Sequence, residues 1–143
     1  MLKAESKKYL GIDWGEARLG LAIGDSESKT AVPLDTVLTF EEVFQIIKDE
    51  EINELVIGQP VKMSGDKINL NKEYISFIEV LKNKIDIPIH FVDERLTSKA
   101  ADSLAGDKKT KASRDAIAAM LILQSYFDRT CDANMRMNAN AAN

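Results

Sequence analysis

At 143 residues, 45% hydrophobic and 29% charged, the chain has the size and composition of one globular domain that buries a core without staples. A formal net charge of −4 means that nucleic-acid contact must rest on a local basic patch, and the single cysteine, Cys131, excludes an internal disulfide and a cysteine-based zinc site. No apolar run approaches the roughly 18 residues of a membrane helix, and MLKAESKKYL lacks a signal peptide's apolar core, so a soluble cytoplasmic protein with no membrane attachment is expected.

Residues 1–7 read as a polar leader. Leu10–Asp25, LGIDWGEARLGLAIGD, reads as a β-hairpin turning at Gly15–Arg18. Alternation puts Tyr9, Gly11 and Asp13 on one face and Leu10, Ile12 and Trp14 on the other. A carboxylate within such an apolar strand is costly unless a cation or a donor meets it. Asp25, at the far end of the hairpin, reads as a turn residue. Val32–Leu38 is a third strand, with Pro33 near its start. Thr39 and Glu42 have capping-box spacing, and Phe40, Val43, Phe44 and Ile47 form one helical face, so a first helix runs to about Glu51.

Glu54–Gly58 reads as a short buried parallel strand, stopped by Gln59-Pro60. Met63–Lys67 reads as a turn-rich loop. A second helix is expected over Asn69–Ile85 and another strand over Ile89–Val92, followed at once by Asp93-Glu94-Arg95. His90, the sole histidine, falls within that strand and is expected to pack or hydrogen-bond. Ser98–Ala105 reads as a short helix, Gly106–Ala112 as a basic loop, and Asp115–Phe127 as a buried helix. The domain is expected over 1–128, with 129–143 an aperiodic, disordered tail rich in Asn and Ala.

This order gives an α/β fold. Its mixed five-stranded sheet has three antiparallel strands and two parallel additions, flanked by helices. Right-handed crossovers put the last two strands beside the first and parallel to it. Ligand sites in such sheets lie beyond the carboxyl ends of the parallel strands. Asp13, the Gly58–Gly65 loop and Asp93/Glu94 should gather there, joined by Asp115 at the start of the last helix. Two unit charges about 4 Å apart repel by about 4 kcal/mol at an effective dielectric near 20. Gathered carboxylates therefore need a cation, and their hard oxygens suit Mg²⁺ or Mn²⁺, in the manner of two-metal phosphodiester hydrolysis.

Lys108, Lys109, Lys111 and Arg114 form a basic cluster just before Asp115; Lys62 lies in the other loop and Arg18 in the hairpin turn. All six are candidate phosphate contacts, which position a strand without reading its sequence. Aromatic stacking has little support, because Trp14 is the one aromatic near this edge and it faces away from Asp13.

GIDWGEARLGLAIGD, VIGQPVKMSG, VDERLTS and RDAIAAMLILQSYFD occur in series over about residues 9–128. Each is weak alone; together they closely resemble the YqgF/RuvX family of ribonuclease H-like proteins, named for pre-16S ribosomal RNA nuclease activity and earlier for likeness to Holliday-junction resolvases. The resemblance implies a ribonuclease H-like fold and a divalent-metal endonuclease that matures the 5′ end of small-subunit ribosomal RNA. It also implies Asp13, Glu94 and Asp115 as the catalytic, metal-binding acids, with Asp93 beside them or paired with Arg95. Two stretches depart from the family pattern: Gly58-Gln59-Pro60 for Gly-Leu-Pro, and Lys62-Met63-Ser64-Gly65 for Asn-Met-Asp-Gly. Both bear on substrate contacts rather than on the acids.

Three alternatives stand beside this reading: a resolvase of branched DNA, a non-catalytic nucleic-acid-binding module, and an actin-like ATPase. The last shares a Gly-x-Asp-x-Gly hairpin but needs a second domain for which the chain has no room. The substrate is RNA or branched DNA, and the protein a monomer or a homodimer.

Overall fold

The computed structural model describes residues 6–15, 17–59, 62–64, 67–69, 72–93 and 111–141, and of 62–64, 67–69, 111–113 and 131–141 the backbone alone. The organising unit is the hairpin of β1 (Lys8–Trp14) and β2 (Leu19–Asp25), antiparallel with Asp13 opposite Gly20. β3 (Ala31–Val37) adds antiparallel to β2, with a bulge where Leu21 pairs Asp35 and Ala22 pairs Pro33. A bulge and a proline on this edge strand both discourage further pairing.

Helix α1 (Phe40–Asp49) starts as its sequence dictates. The Thr39 hydroxyl accepts from the Glu42 amide at 3.3 Å, and the Glu42 carboxylate accepts from the Thr39 amide at 3.1 Å and the Leu38 amide at 2.7 Å. The Leu38 and Thr39 amides hold the Glu42 carboxyl below its ordinary range. β4 (Glu54–Gln59) and β7 (Ile89–Asp93) then join parallel beside β1, giving the sheet order β3-β2-β1-β4-β7. This is the mixed sheet expected from the element order.

Alternation along β1 separates two cores. Leu10 and Ile12 pack with Leu21, Leu55 and Ile57 under α1 and α2 (Lys72–Lys84), which contribute Val43, Tyr74, Phe77 and Leu81. Tyr9, Ala22, Val56 and Val92 pack on the other face against Ala119, Ile122, Leu123 and Phe127 of α3 (Lys111–Ala141).

Some elements differ from expectation. The turn-rich loop holds a small antiparallel hairpin, β5 (Lys62–Ser64) and β6 (Lys67–Asn69), so the second helix starts at Lys72 rather than at Asn69. The last helix begins at Lys111, one turn earlier than expected, and its backbone continues to Ala141 where the composition suggested a disordered tail. Extension of an existing helix avoids the cost of nucleation, and alanine is the strongest helix former. The expected Ser98–Ala105 helix and most of the Gly106–Ala112 loop lie outside the described residues. Among the described residues, no helix is long and apolar enough to cross a membrane.

Candidate active site

The site is assembled by a face of small residues. Gly20, Ala22 and Gly24 alternate along β2, and Gly11 lies opposite Ala22 on β1. A side chain cannot fit where α3 crosses them. A Cβ on Gly11 would stand 2.8 Å from Leu123 Cβ and 2.9 Å from the Ala119 carbonyl oxygen. One on Gly20 would overlap the Asp115 carbonyl and stand 3.0 Å from Asp115 Cβ, and one on Gly24 would meet the Phe127 ring. The residues in contact, Asp115, Ala119, Leu123 and Phe127, recur every fourth position and form one stripe of α3. The helix therefore lies almost directly on the sheet, with its Asp115 end above Gly20.

Gly20 is the register partner of Asp13, whose face is the α3 face. Asp13 and Asp115 are thus brought together at the carboxyl end of β1. Because α3 starts at Lys111, Asp115 is not in the first turn of its helix as the sequence suggested, and gains correspondingly less from the helix dipole. Its charge has another partner. Arg18, in the hairpin turn, places Nε 3.5 Å from Asp115 Oδ2, both side chains about one-third exposed. An expected phosphate contact therefore holds one of the candidate acids.

The parallel strands bring the third candidate position to this edge. Gly58 pairs Val92 and Gln59 pairs Asp93. Val92 points into the α3 core, so alternation sends Asp93 to the opposite face from Asp13. Glu94, Lys108 and Lys109 lie outside the described residues. Lys62 is on β5 and Lys111 opens α3, their side chains undescribed; Arg114, beside Asp115, is exposed. Among the described residues, no three of His, Cys, Asp and Glu form a group suited to a metal ion.

The other polar cluster stands at the opposite end of the sheet. Glu54, the one buried acid among the described residues, accepts from His90 Nε2 at 2.5 Å, from Lys7 Nζ at 3.1 Å and from Tyr9 Oη at 3.4 Å. His90 also stacks on Tyr126 at 4.8 Å. Burial works to raise the Glu54 carboxyl, but the hydrogen bonds and charges of His90 and Lys7 outweigh it and bring it below its ordinary value. Burial, and then the Glu54 charge, push the Tyr9 hydroxyl up to about 12. His90 packs and hydrogen-bonds there, as its place in a strand suggested. Asp25 is a turn residue, accepting from the amides of Glu27 at 3.0 Å and Ser28 at 2.7 Å.

Sequence reasoning missed Gly20 as a positioning residue. Its signal was present in LGLAIGD, where small residues fall at every second position of a strand and so mark a face made for close approach.

A five-stranded mixed sheet of this order, with helices on both faces, is the ribonuclease H-like architecture. Thermus thermophilus RuvC in complex with Holliday junction substrate superposes with a TM-score of 0.54 at 16% identity, covering 87% of this chain and 96% of that one. The chain belongs to the RuvX family, described as Holliday junction resolvase, which matches residues 7–129. A Sulfurihydrogenibium sp. relative is 39% identical over 140 residues, covering 92% of this chain and 97% of its own length. A Natranaerobius thermophilus relative is 36% identical over 138 residues, covering 89% and 98% respectively. Each carries the name "Putative pre-16S rRNA nuclease".

Proposed function

We propose that the protein is a metal-dependent endonuclease that hydrolyses phosphodiester bonds of ribosomal RNA precursor, with Asp13, Glu94 and Asp115 as its catalytic acids. The observation that carries this reading is the stacking of Asp115 on Gly20, the partner of Asp13, which brings two carboxylates from distant parts of the chain to one edge. The names of the relatives and the family description support it.

Asp13 and Asp115 fit a hard divalent cation: both are carboxylates partly open to solvent, one at the end of β1 and one on α3. Asp13, Asp115 and Glu94 would hold Mg²⁺ or Mn²⁺, with Glu94 preferred to Asp93 because Asp93 is on the wrong face. When bound, such ions activate water and stabilise the leaving oxygen. The chain supplies the rest. Asp13 is fixed by the sheet ladder and Asp115 by the helix seat. Arg18, freed from Asp115, becomes a donor for the phosphate, and Lys62, Lys108, Lys109, Lys111 and Arg114 align the backbone on either side.

Asp13→Asn tests the scheme. Cleavage and calorimetric binding of Mg²⁺ should both vanish while the circular dichroism spectrum and Tm stay near wild type. Full cleavage by this variant would refute it.

A second reading, cleavage of branched DNA, is favoured by the family description and the RuvC-like fold. Symmetric cutting of a junction requires two copies related by a twofold axis. Precursor RNA and a four-way DNA junction assayed side by side, with the mass in solution measured by light scattering, separate the two readings. A monomer that cuts the RNA excludes the resolvase.

A further inference from the structure

A cleft of about 300 Å³ opens at the same edge, on the other side of the hairpin turn from Asp13. Its walls include Trp14, Arg18, Leu38, Phe40 and Glu41. Two of these walls are braced from behind by buried aromatics of α2. Trp14 meets Tyr74 edge-on at 5.7 Å, and Phe40 stacks on Phe77 at 5.3 Å. Leu38 is 73% exposed at the rim, an apolar side chain with nothing over it among the described residues. Small-ligand sites occupy about 300–1,000 Å³, so this cleft takes one small planar group at most.

Arg18 decides what that group is. It lines the cleft and, through its 3.5 Å pair, also borders Asp115. A ligand with its planar part against Trp14 and Phe40 and its anionic part on Arg18 would therefore run from the cleft towards the acids. We propose that the cleft receives one unpaired base of the nucleic-acid substrate, next to the phosphate at the acids, so that the protein selects single-stranded or frayed segments. Every base offers a π-face to a fixed aromatic wall, whereas a paired base within a helix does not. Glu41 can only accept hydrogen bonds when ionised, which favours a base with an exocyclic amine. This deepens the nuclease reading and rests on it. It also gives Trp14 a role because it faces away from Asp13, the property that made stacking look unsupported from the sequence.

Trp14 is the sole tryptophan of the chain, so its fluorescence reports on the cleft alone. The full-length protein, with Ca²⁺ in place of Mg²⁺ so that cleavage is suppressed, is titrated with a short end-labelled RNA single strand, the same strand annealed to its complement, and an abasic strand of equal length. Label anisotropy reads binding and Trp14 emission reads stacking. The single strand should quench Trp14 and bind about tenfold more tightly than the abasic strand, with the duplex binding without quenching. Trp14→Leu and Leu38→Asn should each erase most of that tenfold advantage, and Trp14→Phe should keep it. Leu38→Asn keeps the test valid if Trp14→Leu does not fold. Binding with unchanged Trp14 emission, or equal quenching by the duplex or abasic strand, overturns the base site and leaves the nuclease reading standing. Absence of anisotropy change with every strand overturns both.

Discussion

Gly20→Ala separates assembly of the site from stability of the fold. The added methyl overlaps the Asp115 carbonyl, and backbone cannot rotate away as a flexible side chain can. Optimal carbon contacts lie at about 3.5–4.0 Å, so the first turns of α3 must retreat by roughly 1 Å. Overpacking of this kind costs about 1–3 kcal/mol, because the rest of α3 stays seated through Ala119, Leu123 and Phe127. The catalytic cost is larger in relative terms, since a displacement of about 1 Å at a reacting group lowers rate by about 100-fold. Gly20→Ala should therefore stay folded, with Tm lower by several degrees, yet lose about 100-fold in cleavage and much of its Mg²⁺ affinity. Differential scanning calorimetry, single-turnover cleavage and metal titration on the same preparation check this. Gly11→Ala, which meets α3 at Ala119 and Leu123 rather than at Asp115, is the comparison: its loss should fall more on stability and less on cleavage than that of Gly20→Ala. A Gly20→Ala protein with wild-type cleavage and metal affinity would show that the helix seat does not position Asp115.

The far end of the sheet predicts pH behaviour. Glu54 has a folded-state pKa below its ordinary 4.5, so its stabilising share is present above pH 4.5 and is lost as pH falls through the depressed value. Glu54→Gln should cost about 1–3 kcal/mol at neutral pH and flatten this acid limb in urea melts taken across pH; an unchanged acid limb would contradict the assignment. Tyr9 is raised from 10.0 to about 12, so its share is complete below pH 10 and is lost as pH climbs towards 12. Tyr9→Phe should reduce this alkaline loss and the late-titrating phenolate band in difference absorbance, the remainder belonging to Tyr126, which burial and the Glu54 charge also raise. Thr39→Ala removes the cap of α1 and should lower stability by about 1 kcal/mol in chemical denaturation, since the Glu42 half of the box remains.

The fold was legible wherever local pattern and global constraint agree. The capping box at Thr39 and Glu42, the alternation in β1 and the short apolar runs at Glu54 and Ile89 each have one physical reading, and handedness then leaves one sheet order. The ends of α3 were not legible, because a basic segment and an Asn/Ala-rich one lack apolar periodicity even where the backbone continues a helix. The hairpin at Lys62–Asn69 was hidden because three-residue strands are shorter than any periodicity can register. Within the candidate site, Asp13 and Asp115 drew notice by chemical type. What escaped was the pairing of Arg18 with Asp115, which depends on contacts between a turn and a helix some hundred residues apart in sequence.

The two polar ends of the sheet are mechanically linked through α3. At one end Glu54 gathers His90, Lys7 and Tyr9, and His90 and Tyr9 contact Tyr126, with Tyr9 also edge-on to Phe127 at 5.3 Å. Phe127 is the last residue of the stripe whose first is Asp115. Between them Ala119 and Leu123 allow no gap over Gly11, so a helix anchored at Phe127 has its axial position set when it reaches Gly20. A buried carboxylate is an expensive anchor, justified where exact placement outweighs stability. Here it fixes the distal part of a helix whose proximal part places Asp115 over Gly20, the partner of Asp13. Two ionised carboxylates placed there, as the proposed site requires, would repel, and the start of α3 could relieve that repulsion only by sliding outward. The seat over Gly11, the Tyr126–Phe127 anchor and the Arg18 pair oppose such a slide from three sides, and in the proposed nuclease they would keep the acids placed for a cation.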